Sequence, residues 1–314
     1  MSFTWSIYEK KEKPEVQDFL KSTSGSFFHE PSFFEYHRID RFNFLNFICR
    51  NKNKVVAWIP GHQDGDTFTS PAGASYGGPL FSKTLTLNNQ LTILNDFLSK
   101  YNSKFLNINF ITSPNIYFGD TGFLLSAVGF KYTNRLCCHA LHLAGNEWPK
   151  VMSKSKRYDY RKVNDKGVLF GELKRESYSD FFELLEKQNQ RQKSQATHTL
   201  QEILKLKLLL PKRVKIFAST LNNKIKAAAL IFLINEKVVY TFYIVNGDMT
   251  ERGIVTHLIV NLAEHFRKKH FNWLDLGPSS CNNFVLNEGL ADFKRKVGGI
   301  LLTRDKWSYS PNEI

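Results

Sequence analysis

The spacing of apolar and polar residues predicts the same order of elements twice along the chain. In the first half it predicts strands at 54–60 and 67–78, a helix at 88–101, a strand at 105–112 and a helix ending at 129–130. In the second half it predicts strands at 225–234 and 237–246, a helix at 254–269, a strand at 271–276 and a helix ending at 298–299. The sequence therefore predicts two similar domains.

The equivalent positions of the two halves keep nearly constant offsets, which independent loops would not be expected to do. The pairs are Gly78 with Gly247, Phe105 with Phe271, and Gly129 with Gly298. A chain of 314 residues is long enough for two domains. We expect an α+β fold of mixed sheets with flanking helices, with domains at residues 1–148 and 149–314.

A helical insertion, at about residues 177–210, interrupts the second copy. Apolar residues at helical spacing predict a helix at 178–190, and Thr199 with Glu202 forms a capping-box sequence at the start of a second helix. The polar segment between them contains His198. A histidine titrates near neutral pH, so His198 is a candidate general base, although a surface or capping histidine is the commoner case.

Composition limits the classes of function. The formal net charge of +14 favours an anionic partner, and it does not choose among tRNA, a nucleotide-linked precursor, a coenzyme and an anionic membrane surface. No apolar run reaches the roughly 20 residues of a membrane span, and we expect a cytoplasmic protein. The four cysteines include no CxxC pair suited to zinc, so we expect no metal. Cys281 could be a nucleophile, although a small packed residue is the commoner case.

The positive charge is concentrated at the start of the second half. The cations of this segment are Lys150, Lys154, Lys156, Arg157, Arg161 and Lys162. If the segment is helical, Lys154, Arg157 and Arg161 share one face and could hold phosphate groups. A solvated helix face beside a domain junction explains the pattern equally well.

The start of the helix at 254–269 is a candidate anion site. The first amide groups of a helix have no partner within the helix, and its dipole favours negative charge there. Gly253 and Ile254 lie at this start, with Arg252 immediately before them. A strand, a short loop and a helix in this order resemble the site at which GNAT acyltransferases hold the pyrophosphate of coenzyme A. Of the GNAT loop pattern only the central glycine is present, with Thr250 and Val255 at the other two positions.

Two further segments resemble the Fem-type transferases. The basic segment 153–163, followed by Gly167 and Val168, is similar to the stretch that opens the second domain of that family. The closing run, from Asp275 through Gly289 and Leu290 to Phe293 and Lys294, is similar to the family's Gly-Leu-x-x-Phe-Lys segment. The order and spacing agree with the twin GNAT-like domains of the family.

This resemblance implies transfer of an acyl group, acetyl or aminoacyl, to an amine of a cell-envelope or glycan precursor. The donor would be acyl-CoA, such as acetyl-CoA, or aminoacyl-tRNA, and the acceptor a small or nucleotide-linked molecule. The second domain would bind the donor and the first would help to hold the acceptor. A non-catalytic basic protein that binds nucleic acid or an anionic glycan is the alternative.

The resemblance also suggests roles for individual residues. Lys294 occupies the family's Phe-Lys position and would neutralise a donor phosphate or an oxyanion; a surface lysine is the alternative. Asp275, at the end of its strand, would orient or deprotonate the acceptor amine, or else cap the next turn. The expected donor-binding residues are Arg252, Gly253, Ile254, Ser279 and Ser280. The expected acceptor-binding residues are Tyr76, Gly77 and Gly78 of a glycine-rich loop, with Arg157 and Arg161.

Overall fold

The computed structural model describes residues 2–23, 25–38, 40–70, 73–117, 119, 121–145, 148, 150–247, 251–280 and 285–311. The chain divides into two compact units. Unit 1 is formed by Met1–Leu136, Asn282–Val285 and Thr303–Ile314, and unit 2 by Cys137–Cys281 and Leu286–Leu302. The domain boundary expected between residues 148 and 149 stays a prediction.

The described residues of unit 1 form two groups of strands and four α-helices. The strands are β1 (Phe3–Ile7), β2 (Phe47–Asn51), β3 (Lys54–Ile59), β4 (His62–Asp64), β5 (Thr67–Ser70), β6 (Leu80–Phe81) and β7 (Asn107–Ile111). The helices are α1 (Lys13–Thr23), α2 (Pro31–Phe34), α3 (Leu87–Tyr101) and α4 (Gly122–Ala127). One sheet has the order β1-β2-β3-β6, and β4, β5 and β7 are neighbours in the other. Strands β5 and β7 are parallel.

Two long strands have residues in both units: β8 (Lys131–His142) and β14 (Ile300–Tyr309). In unit 1, residues Lys306 to Tyr309 of β14 pair with β7 in antiparallel register. The core of unit 1 is rich in phenylalanine. The ring of Phe47 lies 5.2 Å from that of Phe68 and 5.1 Å from that of Phe97, which is a buried residue of α3.

Unit 2 contains the remaining elements. The strands are β9 (Leu169–Glu172), β10 (Val214–Leu221), β11 (Lys224–Leu233), β12 (Val238–Asn246) and β13 (Trp273–Pro278). The helices are α5 (Lys154–Asn164), α6 (Tyr178–Gln192), α7 (Leu200–Leu209), α8 (Ile254–Lys268) and α9 (Glu288–Lys296). Within the unit the strand order is β8-β13-β12-β11-β10-β9, and only β12 and β13 of the described neighbours are parallel.

The core of unit 2 forms between this sheet and α8. The apolar stripe of α8, including Ile254, Leu258 and Leu262, is buried. It packs on β10, β11 and β12, where the small side chains of Ala227 and Ala229 belong to the same core. Burying a continuous apolar face against a sheet stabilises both elements, because that surface leaves water.

The expected α+β class with mixed sheets is confirmed, and most expected elements are present. The strand expected at 67–78 ends at Ser70. The Ser70 hydroxyl donates to the Pro60 carbonyl and accepts the amide of Gly78 at 3.0 Å, so the chain folds back on the strand end. Strand β14 was not expected from the sequence. No helix among the described residues is long and apolar enough to cross a membrane.

Candidate functional site

A cleft of about 340 Å³ in unit 2 brings together several residues that the sequence singled out. Its walls come from the start of α8, the end of β12 and side chains of α5, α6 and α9. Among its lining residues are Arg252, Gly253, Ile254 and Lys294. The structure therefore places three of the expected donor-binding residues in the same cleft as the catalytic candidate Lys294.

The N-terminus of α8 opens into this cleft. Gly253 is the N-cap residue and has a φ of +95°, a conformation that residues with a Cβ rarely adopt. A Cβ at this position would lie 3.0 Å from the backbone oxygen of Asp159 on α5. The glycine thus permits a close approach of α5 to the start of α8.

Thr256, in the first turn of α8, has a hydroxyl that no described residue satisfies. Thr256 is 1% exposed, lines the cleft, and its Oγ1 has no hydrogen-bond partner among the described residues. A buried hydroxyl without a partner costs free energy, and such groups need an explanation such as a bound molecule. The Thr256 hydroxyl therefore adds an enclosed polar atom beside the amide groups of the first helical turn, which are the groups that a ligand at this terminus would bind.

Cations surround the start of α8. The Arg252 side chain is 83% exposed, with its Nε 3.4 Å from Oδ1 of Asp159, and Nζ of Lys156 lies 3.1 Å from Oδ2 of the same carboxylate. Asp159 therefore holds two cations beside the helix terminus. The acid that lines the cleft, Glu251, is paired with Lys166 at 2.5 Å. The electrostatic balance of this cleft favours an anionic ligand.

The parallel strands β12 and β13 separate beside the cleft. Their pairing covers Val238 with Trp273, Val239 with Leu274, and Tyr240 with Asp275. Beyond these pairs β12 continues to Asn246 and β13 to Pro278, and β12 contains a register shift opposite Leu230 and Ile231. The strands therefore diverge at their C-terminal ends.

Lys294 lies on α9 and is 3% exposed. Its Nζ donates to the carbonyl oxygens of Gly277 at 3.0 Å and Pro278 at 2.7 Å. Lys294 is thus a buried residue at the end of β13 and not a surface lysine. Its role toward a donor phosphate or an oxyanion stays a prediction.

Asp275 and Ser279 lie near Lys294 at the same end of β13. Asp275 is fully buried, and its Oδ1 accepts the amide of Gly277 at 2.6 Å. This bond has the geometry of a turn cap, which was the alternative interpretation of Asp275. Oγ of Ser279 lies 3.2 Å from Nδ1 of His139, a buried histidine of β8.

The sequence interpretation missed His139. Burial lowers the pKa of His139, the positive charge of Lys294 lowers it further, and Asp275 acts in the opposite direction. Ser280 also bonds to β8: its Oγ accepts the amide of Cys137 at 2.8 Å. Both serines are therefore held by β8, and their expected contact with the donor stays a prediction. His139 is so far along the chain from these residues that spacing offered no signal for it.

His198 lies at a different cavity from Lys294. It lines a cavity of about 750 Å³ beside α6 and α7. Its Nδ1 lies 3.2 Å from the hydroxyl of Tyr243 and 3.1 Å from Oγ1 of Thr197. Burial raises the pKa of Tyr243, against the hydrogen bonds from Thr197 and His198. The structure thus brings the hydroxyl of Tyr243 on β12 close to the imidazole of His198, which lies just before α7. The role of His198 as a base stays a prediction.

The residues expected to bind the acceptor belong to both units. In unit 1, the Tyr76 ring contacts the rings of Phe28 and Tyr117, with the Arg304 guanidinium 5.3 Å from its centre. The Gly77 amide donates to the Ile111 carbonyl at 2.7 Å. The Gly78 carbonyl lies 3.2 Å from Nε2 of the buried His29.

The two arginines of this group lie on α5, in unit 2. Arg157 donates to the Lys150 carbonyl at 3.0 Å, and Arg161 is exposed. On the same helix, it is Lys156 that lines the cleft. The acceptor assignment stays a prediction for all five residues. Cys281 and Thr250 lie outside the described residues. Within the described part of the chain, no group of three or more His, Cys, Asp or Glu side chains could hold a metal ion.

Comparison with known proteins shows the class of fold. No protein-family model matches the sequence, and no curated protein matches it. A tandem GNAT protein from the clavulanic acid biosynthesis pathway has a similar structure, with a TM-score of 0.54 and 10% identity over 98% of each chain. The fold is therefore a tandem GNAT-like fold, as the sequence resemblance predicted.

Greater structural similarity is found to Fem-type and related proteins. FemX has a TM-score of 0.74 and 13% identity, over 100% of this chain and 98% of its own. L-PGS from Bacillus licheniformis has a TM-score of 0.65 and 12% identity, over 98% of this chain and 94% of its own. The Fem-like part of the predicted resemblance is thus confirmed at the level of fold.

Proposed function

We propose that the protein is an acyltransferase whose acyl donor places a phosphate group at the N-terminus of α8. The single observation that supports this most is the cleft at that terminus, where the first-turn amides and the cations Arg252 and Lys156 converge beside a Thr256 hydroxyl that no described residue satisfies. Oriented amides and a helix dipole bind phosphate oxygens, and adjacent cations strengthen the interaction. The fold shared with FemX and L-PGS supports the same class.

In the proposed reaction an amine attacks the acyl carbon of the donor. A C–N bond forms, the C–O or C–S bond to the donor breaks, and the proton lost by the amine balances the charge of the leaving group. Negative charge develops on the acyl oxygen in the transition state. Lys294, at the end of β13 on the cleft wall, is the cation proposed to oppose that charge.

The acceptor in this proposal is an amine of a cell-envelope or glycan precursor, and the donor is acyl-CoA or aminoacyl-tRNA. One structural relative is the C-terminal domain of a putative lysylphosphatidylglycerol synthetase from Agrobacterium fabrum, with a TM-score of 0.63 and 11% identity. The name of this relative refers to a membrane lipid, lysylphosphatidylglycerol, which supports the envelope as the source of the acceptor.

Binding of phosphate-bearing donors tests the proposal. Thermal unfolding is measured with acetyl-CoA, coenzyme A and bulk tRNA, for the wild type, Arg252→Ala and Lys268→Ala. Lys268 is the matched control, because it is an exposed cation at the other end of α8. A ligand at 100 times its Kd stabilises the folded protein by about 2.7 kcal/mol.

We expect at least one of these ligands to stabilise the wild type and the Lys268→Ala variant, and to stabilise Arg252→Ala clearly less. Release of the acyl group in the presence of amine acceptors then distinguishes an enzyme from a binding protein. Stabilisation by none of the three ligands, or an equal effect on Arg252→Ala, contradicts the proposed donor site. Binding without any acyl release favours the non-catalytic alternative.

A further inference from the structure

The edge of β12 that faces the cleft is a potential site for strand addition. Pairing with β11 uses the other edge, as shown by the Gly247 amide, which donates to the Lys226 carbonyl at 2.9 Å. Pairing with β13 stops at Tyr240. The groups of β12 that face this edge beyond Tyr240 are therefore placed to bind an extended ligand that contains amide groups.

Helix α6 already occupies this edge. Nε2 of Gln188 donates to the Ile244 carbonyl at 2.9 Å, and Oε1 of the same side chain accepts the Asn246 amide at 2.8 Å. Arg191, one turn along, donates to the Asn246 carbonyl at 3.1 Å. The amide of Gln188 thus makes the pair of bonds that one peptide group of an added strand would make.

Buried apolar side chains of α6 fix this helix beside the edge of β12. Phe181, Phe182 and Leu185 of α6 are buried. Leu184 lies against Gly247 at the end of β12, where a Cβ on the glycine would be 3.1 Å from a methyl carbon of the leucine. Gln188 and Asn246 line the same cleft as Arg252, so a donor bound at α8 would meet them.

We propose that Gln188 determines which donors the cleft accepts, because it closes the strand-addition edge of β12. The pantetheine arm of coenzyme A is an extended chain with two amide groups, which is the kind of ligand that binds a free strand edge. With Gln188 in place the arm has no backbone partners at Ile244 and Asn246. The cleft then excludes donors held by such an arm and accepts donors held through phosphate alone. This inference rests on the proposed donor site at α8.

The test compares coenzyme A with adenosine 3′-phosphate 5′-diphosphate, which is coenzyme A without the pantetheine arm. Affinities for both are measured for the wild type, Gln188→Ala and Gln190→Ala. Gln190 is the matched control, because it is an exposed glutamine of the same helix that lines a different cavity. We expect Gln188→Ala to bind coenzyme A about tenfold more tightly than the wild type does, since two hydrogen bonds become available to the arm. The affinity for the arm-less nucleotide, and both affinities of Gln190→Ala, should stay unchanged.

Amide hydrogen exchange provides a second measurement that does not depend on a stronger complex. In Gln188→Ala the Asn246 amide should exchange faster than in the wild type, and coenzyme A should slow it again, while the amides of α8 confirm that the unit remains folded. The inference is overturned if coenzyme A binds the wild type tenfold more tightly than the arm-less nucleotide. It is also overturned if Gln188→Ala leaves coenzyme A affinity unchanged, including the case in which neither protein binds it.

A different result would contradict the proposed function. In that case Arg252→Ala would bind phosphate-bearing ligands as well as the wild type does, whatever the effect of Gln188→Ala. The difference between coenzyme A and its arm-less fragment reports on β12 alone.

Discussion

Single residues at the end of β13 show how the cleft wall is held. The Nζ of Lys294 donates to the carbonyls of Gly277 and Pro278, and Asp275 accepts the amide of Gly277. A lysine and an aspartate therefore fix the same short backbone segment from two sides. Any effect of Lys294 on chemistry combines its charge with this positioning of the backbone.

Replacement of Lys294 tests this dual role. Lys294→Ala should lower the free energy of unfolding by about 2 kcal/mol, because the carbonyls of Gly277 and Pro278 lose their donor. Lys294→Gln should be destabilised less than Lys294→Ala, since glutamine keeps a hydrogen-bond donor. It should still lack acyl transfer, because the positive charge is absent. Urea unfolding and acyl release measure the two effects. Arg295→Ala is the matched control, an exposed neighbour on α9 that should change little. Full acyl release by Lys294→Ala would remove this residue from the proposed mechanism.

At the scale of elements, α8 depends on the backbone conformation of its N-cap. Gly253→Ala should destabilise unit 2 by roughly 1–3 kcal/mol, because the positive φ is unfavourable for alanine and the added Cβ meets Asp159 at 3.0 Å. It should also weaken phosphate binding by displacing α5 from the helix start. Gly171→Ala is the control, since a Cβ there has nothing within 4 Å. Thermal unfolding checks the prediction, and equal stability of the two variants would contradict it.

The elements that the sequence predicted well are those with a periodic apolar face. Helix α8 and strands β11 and β12 were expected nearly at their observed bounds, and the capping box of Thr199 and Glu202 is present at the start of α7. Such patterns are local, so they can be recognised in a single sequence. The same reasoning failed at β14, whose partner β7 is distant in the chain.

The parts of the site that the sequence did not predict are side-chain bonds between distant segments. The bonds of Gln188 on α6 to β12 and of His139 to Ser279 follow no periodic pattern, because one hydrogen bond requires only one suitable residue at each end. The cleft could be located from the glycine and arginine before α8, but its occupied edge could not.

For the whole molecule, buried neutral histidines in both units predict sensitivity to acid. Burial lowers the pKa of His29 in unit 1 and of His257 in unit 2 to about 4. An unfolded chain binds these protons near pH 6.5, whereas the folded protein does so only near pH 4. The unfolded state therefore binds more protons between these values, and the free energy of unfolding falls as the pH falls.

Urea unfolding at pH 7 and pH 5 measures this loss, which should be about 2 kcal/mol for each buried histidine. In His257→Gln, the decrease in the free energy of unfolding from pH 7 to pH 5 should be smaller than in the wild type. In the control His142→Gln, which replaces an exposed histidine, the decrease should equal that of the wild type. An identical free energy of unfolding at pH 7 and pH 5 in the wild type would be incompatible with neutral buried histidines.

The two strands shared between the units have a consequence for synthesis of the chain. A ribosome makes the protein from its N-terminus, and unit 2 has all its residues once Leu302 has been added. Unit 1 still lacks the segment of β14 that pairs with β7. Unit 1 begins at the N-terminus, but it is therefore completed after unit 2. The edge of β7 that pairs with β14 has no partner strand until Lys306 to Tyr309 have been synthesised.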